Sequence, residues 1–401
     1  MAARIGAAPG FWTLGAVFLA AMSFTTVPTP LYAEYQARDG FPPWMVTVVF
    51  AAYAVGVAAA LYLVGHQGDR IGRRPLVAAA VVCEAVSAVL FLLFPEVPGL
   101  LAARLLSGVG IGALTASATA QLGELHEAWR GRGGLLPAAV ATVANLGGLG
   151  LGPLVAGLLA VLAPAPLVTP YLVYLALMVL ALAAALLVPE TVERRHPLPA
   201  YRPQRIAVPP ESRAEFGAAG VAVFAAFGVF GLFSAVAPSV LAKEFGVTSP
   251  LASGAVAFGV LTAGALAQLA VLRTPVRPQL VAAVGASVVG LAALGTAVVA
   301  GLLPLFVLGG IVAGAGAGLV FRACLAVAAA LAPADRRGET LAGLFLAGYL
   351  GLIVPVLGVG AALAAFPPVP VLVAFDTAVA VLVLVTGILL LRRSGAAAGA
   401  A

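Results

Sequence analysis

Charge is the first thing this sequence has little of. Only 9% of its 401 residues are Asp, Glu, Lys or Arg, against 63% hydrophobic, and the mean hydropathy is +1.13. A soluble domain carries about 25% charged residues, so this chain could not clothe its surface for water. The bilayer must be its solvent. Cysteine is scarce too: Cys83 and Cys324 lie in apolar runs far apart, which predicts buried free thiols and neither a disulfide nor a metal site. The three histidines, His66, His126 and His196, all fall in expected loops. No P-loop, metal-ligand cluster or catalytic triad stands within the apolar runs, which argues against a membrane enzyme and predicts no cofactor and no metal. Without a repeated charged ring or a pore loop, a channel is equally unsupported.

What is present is a series of long apolar runs. A bilayer core of about 30 Å needs about 20 residues of helix. Twelve runs meet that need, at 11–33, 44–64, 76–94, 99–123, 134–163, 169–189, 216–242, 250–272, 279–301, 304–332, 339–364 and 369–391. They are too long and continuous to alternate as barrel strands, so helices are expected. The first run is too long for a signal h-region and has only Arg4 before it, so it is expected to stay in place as a span.

The net charge of +6 could suggest nucleic acid as a partner, but its distribution points elsewhere. Of the 21 Lys and Arg residues, 17 fall in the two tails and the loops after even-numbered spans. The opposite loops hold only Arg38 and Lys243, and Arg104 and Arg322 lie inside spans. By the positive-inside rule both termini are cytoplasmic. The proline-rich, mixed-charge stretch "PETVERRHPLPAYRPQRIAVPPESRAEF" reads as a cytoplasmic linker. It divides the chain into bundles at 1–190 and 216–401, with the linker at 191–215. The halves echo each other: "AWRGRGG" matches "ADRRGET", and "RRPLVAAAVV" matches "VRPQLVAAVG", at nearly one offset. Duplication of an even-span unit relates the halves by an axis along the membrane normal, with a solute path between them.

The loop after span 2, "GHQGDRIGRRP", resembles the signature loop of the major facilitator superfamily, roughly G-x-L-x-D-R-x-G-R-R/K. Gly65, Asp69, Arg70, Gly72, Arg73 and Arg74 carry the match; Gln67 stands where Leu is usual. The glycines permit a tight turn, the arginines can pair with acids or lipid phosphates, and Asp69 can accept from exposed N–H groups at a helix N-terminus. The family places span 11 there, beginning in this chain near Gly338 and Glu339. In span 4, "ARLLSGVGIG" resembles the superfamily's R-x-x-x-G-x-G pattern, whose Arg, here Arg104, faces the cavity and is linked to proton movement. In span 5, Gly148, Gly152, Pro153 and Gly157 of "GLGLGPLVAG" resemble the antiporter motif of exporters, with Ala156 replacing a usual Gly. Close helix packing alone also explains such glycines.

Three acids are candidates for carrying a proton alongside Arg104: Glu84 near the middle of span 3, Asp376 in span 12, and Glu34 at the outer end of span 1. A local structural role is the alternative for each, Glu84 pairing with Arg104. Arg322 in span 10 has no counterpart in the first half, where Ser117 aligns, and it could meet either an anionic substrate group or a structural partner. The remaining substrate-contact candidates include Thr25, Thr29, Tyr32, Tyr53, Asn145, Gln268 and Tyr349. Phe227, Phe230 and Phe233 at helical spacing are more simply packing.

The expected fold is an all-α integral membrane protein, twelve transmembrane helices in two six-helix bundles. The resemblance implies a secondary transporter in a cell membrane, monomeric, with a small-molecule substrate, protons and the lipid bilayer as partners. Two mechanisms stand open: proton-coupled efflux by antiport of organic or drug-like molecules, and proton symport importing a small metabolite such as an organic anion.

Overall fold

The computed structural model describes residues 5–64, 67–192, 206–333 and 336–398. Among these, twelve helices are long and apolar enough to cross a membrane. Spans 1 to 6 are Ala7–Asp39, Trp44–Leu63, Arg73–Leu93, Val97–Arg130, Leu136–Leu162 and Thr169–Leu187. Spans 7 to 12 are Pro210–Phe245, Pro250–Ala270, Val276–Ala300, Leu303–Leu331, Arg337–Ala365 and Pro368–Arg393. In hydrocarbon every backbone group must be satisfied within the segment, and the continuous helix is how these Leu-, Ala- and Val-rich runs do so. Spans 2, 4, 6, 8 and 10 each carry proline in the first turn, where a missing N–H costs nothing.

Several helices outrun the apolar runs that signal them. Span 4 continues to Arg130 and span 3 starts at Arg73, because helical hydrogen bonding does not stop where the lipid does. The sequence-read linker falls mostly on residues outside those described.

Span 4 packs along spans 2 and 3, and span 10 along spans 8 and 9; span 3 also meets span 6 as span 9 meets span 12. The halves meet along spans 2 and 11 and along spans 5 and 8. This is the arrangement of two six-helix bundles about a pseudo-twofold axis along the membrane normal. Smaller features repeat with it. Span 5 carries an internal Pro153 and span 11 an internal Pro355. Spans 1 and 7 end on left-handed glycines, Gly40 (φ 69°) and Gly246 (φ 66°).

Two spans carry a π turn within the α-helix, span 5 at Val143–Gly147 and span 7 at Leu232–Val236. Such turns are frequent at functional sites. Span 1 opens into turns after Phe24 and re-forms through a 3-10 segment, Thr29–Leu31, around Pro28 and Pro30.

Candidate functional site

Between the halves lies a cavity of about 220 Å³. Spans 1, 2, 4 and 5 of the first half and 7, 8, 10 and 11 of the second all contribute to its wall. Among the described residues no Asp or Glu lines it, but Arg104 and Arg322 do, one from each half.

Arg322 is half-buried and makes no hydrogen bond or ion pair with any described residue. Arg104 is 2% exposed. Its Nη1 donates to the carbonyl of Thr25, and its guanidinium lies over the rings of Tyr53 (4.5 Å) and Phe50 (5.6 Å). Those rings hold the cation by its flat face, while Nε keeps no partner. Asn145, presented by the π turn of span 5, and Gln268 also reach the cavity with side-chain amides that bond to no described residue. An aromatic wall completes the site. Phe227 stands edge-on to Phe230, Phe321 and Tyr349, with ring centroids 6.1, 5.3 and 6.0 Å away, and Phe321 meets Phe345 at 5.6 Å. Unpaired cations, spare amides and aromatic faces suit a small solute with an apolar body and an anionic end.

Tyr53, Asn145, Gln268, Arg322 and Tyr349 of the predicted contacts thus meet in one place. Thr29 and Tyr32 do not: the 3-10 segment turns both inward, leaving each 2% exposed and outside the cavity. The sequence reading missed Thr26, Thr115, Thr119, Thr142 and Ser234 on the wall. Hydroxyls scattered through apolar helices give no sequence signal unless the facing side of each helix is known.

None of the three candidate acids lines the cavity. Glu34 is half-exposed on the helix Tyr32–Asp39 beyond the bend of span 1. Asp376 is 5% exposed, and lines a groove between spans 9 and 12 at the edge of the molecule. Glu84 is 0% exposed between spans 3 and 4, where Oε2 accepts from Ser107 Oγ at 2.8 Å. The expected Glu84–Arg104 ion pair is not made, because the guanidinium is turned to Thr25 and the aromatic rings instead.

The signature loop lies on the face that carries the termini. Gly65 falls outside the described residues. Gly72, at φ 106°, turns the chain into span 3 so that the Arg73 and Arg74 N–H groups donate to Glu190 Oε1 and Oε2 at 2.9 and 3.2 Å. The Arg73 side chain pairs with Asp69 and, at 3.1 Å, with Glu124 of span 4. The unusual Gln67 accepts from Arg70 at 3.3 Å, and Arg74 extends along the surface toward the carbonyl of Leu186. Glu124 and Glu190 went unremarked in the sequence because an acid at a helix end is ordinary. Asp69 is not docked on span 11; its side chain is 70% exposed. The first turns of span 11 hold the end of the linker instead: Thr340 donates to the Ala207 carbonyl and Ile206 packs against Gly343.

At the opposite face the halves are in close contact. A Cβ on Gly157 would stand 2.5 Å from the Pro250 carbonyl of span 8. One on Gly254 would strike the Pro153 carbonyl, and one on Gly360 of span 11 would strike Thr47 of span 2. Gly148 and Gly152 face span 1, against Leu19 and Ser23. The span 5 glycines therefore serve two close approaches, one within the first half and one across the halves.

Comparison with known proteins gives the same fold. The profile of the Major Facilitator Superfamily matches residues 13–300. No curated protein matches the sequence significantly. Among solved structures, the human organic anion transporter MFSD10 (TETRAN) superposes with a TM-score of 0.68 at 18% identity, covering 96% of this chain and 100% of that one. The nucleoside transporter NupG superposes with a TM-score of 0.70 at 10% identity, covering 96% and 99%.

Proposed function

We propose, from the premise that this chain belongs to the major facilitator superfamily, that it is a proton-coupled transporter of small organic anions with apolar bodies. The observation that carries this is the charge of the cavity: Arg322 without a partner, Arg104 on the opposite wall, and no acid lining it, among the described residues. A cationic drug in this cavity would meet two like charges and no counter-ion, which low dielectric makes costly. An anion would supply what Arg322 lacks. The span 5 glycines are accounted for by close helix approach, so they do not single out an exporter of drug-like molecules. The human structural neighbour is an organic anion transporter, which agrees with an anion, and its likeness to this chain is one of fold.

The protein works as a monomer in the cell membrane with both termini cytoplasmic, as the basic loops require. The bodies at 1–190 and 216–401 rock about the cavity, tethered by 191–215. The arrangement described above reads as inward-open: the halves touch at the face away from the termini, while at the other Asp69 is exposed and pairs with Arg73 of its own loop rather than docking on span 11.

Thermal stabilisation by a panel of aromatic carboxylates, aliphatic carboxylates and cationic amphiphiles tests the substrate class. Aromatic carboxylates are expected to stabilise the protein, and Arg322→Gln to weaken them about 10- to 100-fold, the worth of one charged hydrogen bond at about 1.5–3 kcal/mol. Stabilisation by the cationic amphiphiles alone would overturn the reading.

A further inference from the structure

Transport of an anion through this cavity leaves Glu84 without a role. Its Oε2 has Ser107, but Oε1 is buried with no donor. Oε1 sits 2.7 Å from where a Cβ on Gly110 would stand, so a glycine at that position is what makes room for it. Ser107 lies three residues along span 4 from Arg104, which places the two on one helix face. The acid therefore adjoins, through one hydroxyl, the residue that borders the cavity.

The surroundings contain little else that can hold or neutralise a charge. Spans 2, 5 and 6, and span 1 up to its bend, have no charged residue. Besides Arg104, the titratable groups on the elements packed there are Tyr32 just past the bend of span 1, its hydroxyl buried without a partner, Tyr53 of span 2 beneath the guanidinium, Cys83 on Glu84's own helix, and Tyr171 and Tyr174 of span 6, which packs on span 3. Of the tyrosines, Tyr174 already shares a hydrogen bond with Ser23. In the hydrocarbon part of the first half one carboxyl group and one guanidinium are linked only through Ser107, one helical turn from Arg104, and they are not paired.

Within the first half two acceptors thus compete for one cation, Arg104, while Arg322 on the opposite wall is the anion's second contact. When a substrate carboxylate occupies Arg104, Glu84 has no counter-ion and must carry a proton, because an uncompensated charge in hydrocarbon is expensive. When the substrate leaves, Arg104 can turn to Glu84, and the proton can depart. We infer that Glu84 is the group that carries the coupled proton, and that proton and anion bind together with Arg104 as their shared link. This rests on the anion reading of the cavity and makes the cycle a symport. The O–H bond forms at Oε1 with a proton taken from water admitted through one gate. It breaks when water enters from the other side and takes the proton back. The present geometry, with Arg104 facing the cavity and Glu84 on Ser107 alone, is the proton-loaded arrangement.

Coupling of this kind is reciprocal. Anion affinity should fall as pH rises through the range in which Glu84 loses its proton, by up to about tenfold per pH unit for a fully obligatory single proton. Binding of 2-naphthoate to the purified full chain, in weak buffer with a pH-indicator dye, should be accompanied by proton uptake. Glu84→Gln should bind naphthoate with an affinity independent of pH and take up no proton, and should lose one protonated-carboxyl band in the infrared spectrum. Asp376→Asn, at the edge of the molecule, should keep wild-type proton uptake. If Glu84→Gln does not fold, the wild-type profile and that of Glu84→Asp, which should be displaced along the pH axis, decide the matter. Naphthoate binding without proton uptake, or uptake abolished by Asp376→Asn and retained by Glu84→Gln, would overturn the assignment of Glu84 and leave the anion site standing. Failure of every anion in the panel to bind would remove the anion site and this coupling with it.

Discussion

Asp69 and Glu190 show how differently two acids on one face can matter. Asp69 is exposed and its ion-pair partner is Arg73 four residues on; such pairs contribute about 0–1 kcal/mol. Asp69→Asn is therefore expected to leave the melting temperature of the purified protein nearly unchanged. It should still slow transport in vesicles, since the resemblance places its working contact in the state closed on that face. A drop of many degrees would instead assign Asp69 to stability. Glu190 accepts from the backbone N–H groups of Arg73, Arg74, Thr191 and Val192. Glu190→Ala leaves the first turn of span 3 uncapped, and should cost about 1–2 kcal/mol, read as a lower melting temperature. An unchanged melting temperature would show that water replaces the cap.

Span 5 makes two contacts that substitution can separate at the scale of the element. Gly152 lies against Ser23 and Thr26 of span 1, inside the first half, whereas Gly157 lies against Pro250 and Leu251 of span 8, across the halves. Gly152→Leu should reduce folded yield, because the first half cannot pack around it. Gly157→Leu should leave yield close to normal and drive the ends of spans 5 and 8 apart at the face away from the termini. Spin labels on those two ends, with and without the substitution, measure the change. Equal distances in both proteins would mean that the contact at Gly157 is not what holds that face shut.

At the scale of the whole molecule the decisive property is orientation. Arg38 and Lys243 are exposed at one face, and Arg130 and Arg393 at the other. Arg38→Cys and Lys243→Cys should react with an impermeant thiol reagent in intact cells. Arg130→Cys and Arg393→Cys should react only after permeabilisation. Labelling of the second pair in intact cells would invert the topology, and with it the identification of the described state as inward-open.

Span number and helical class follow from the sequence alone, because each depends on a sum over about 20 residues of hydropathy, which no single contact can reverse. Arg104, Arg322, Asn145 and Gln268 were legible for the same reason: a polar group in an apolar run is conspicuous, and it must face something other than lipid. Their convergence on one cavity was not legible. Which side of a helix faces inward depends on the π turns of spans 5 and 7 and on the packing of glycines against neighbouring backbones. Together with the 3-10 turn of span 1, these features placed Thr29 and Tyr32 in the protein interior and Thr26 and Ser234 on the wall. The packing also left Glu84 beside Ser107 rather than Arg104. Hydropathy along the chain says how deep a residue lies; only the close approach of helices distant in sequence decides what it meets there.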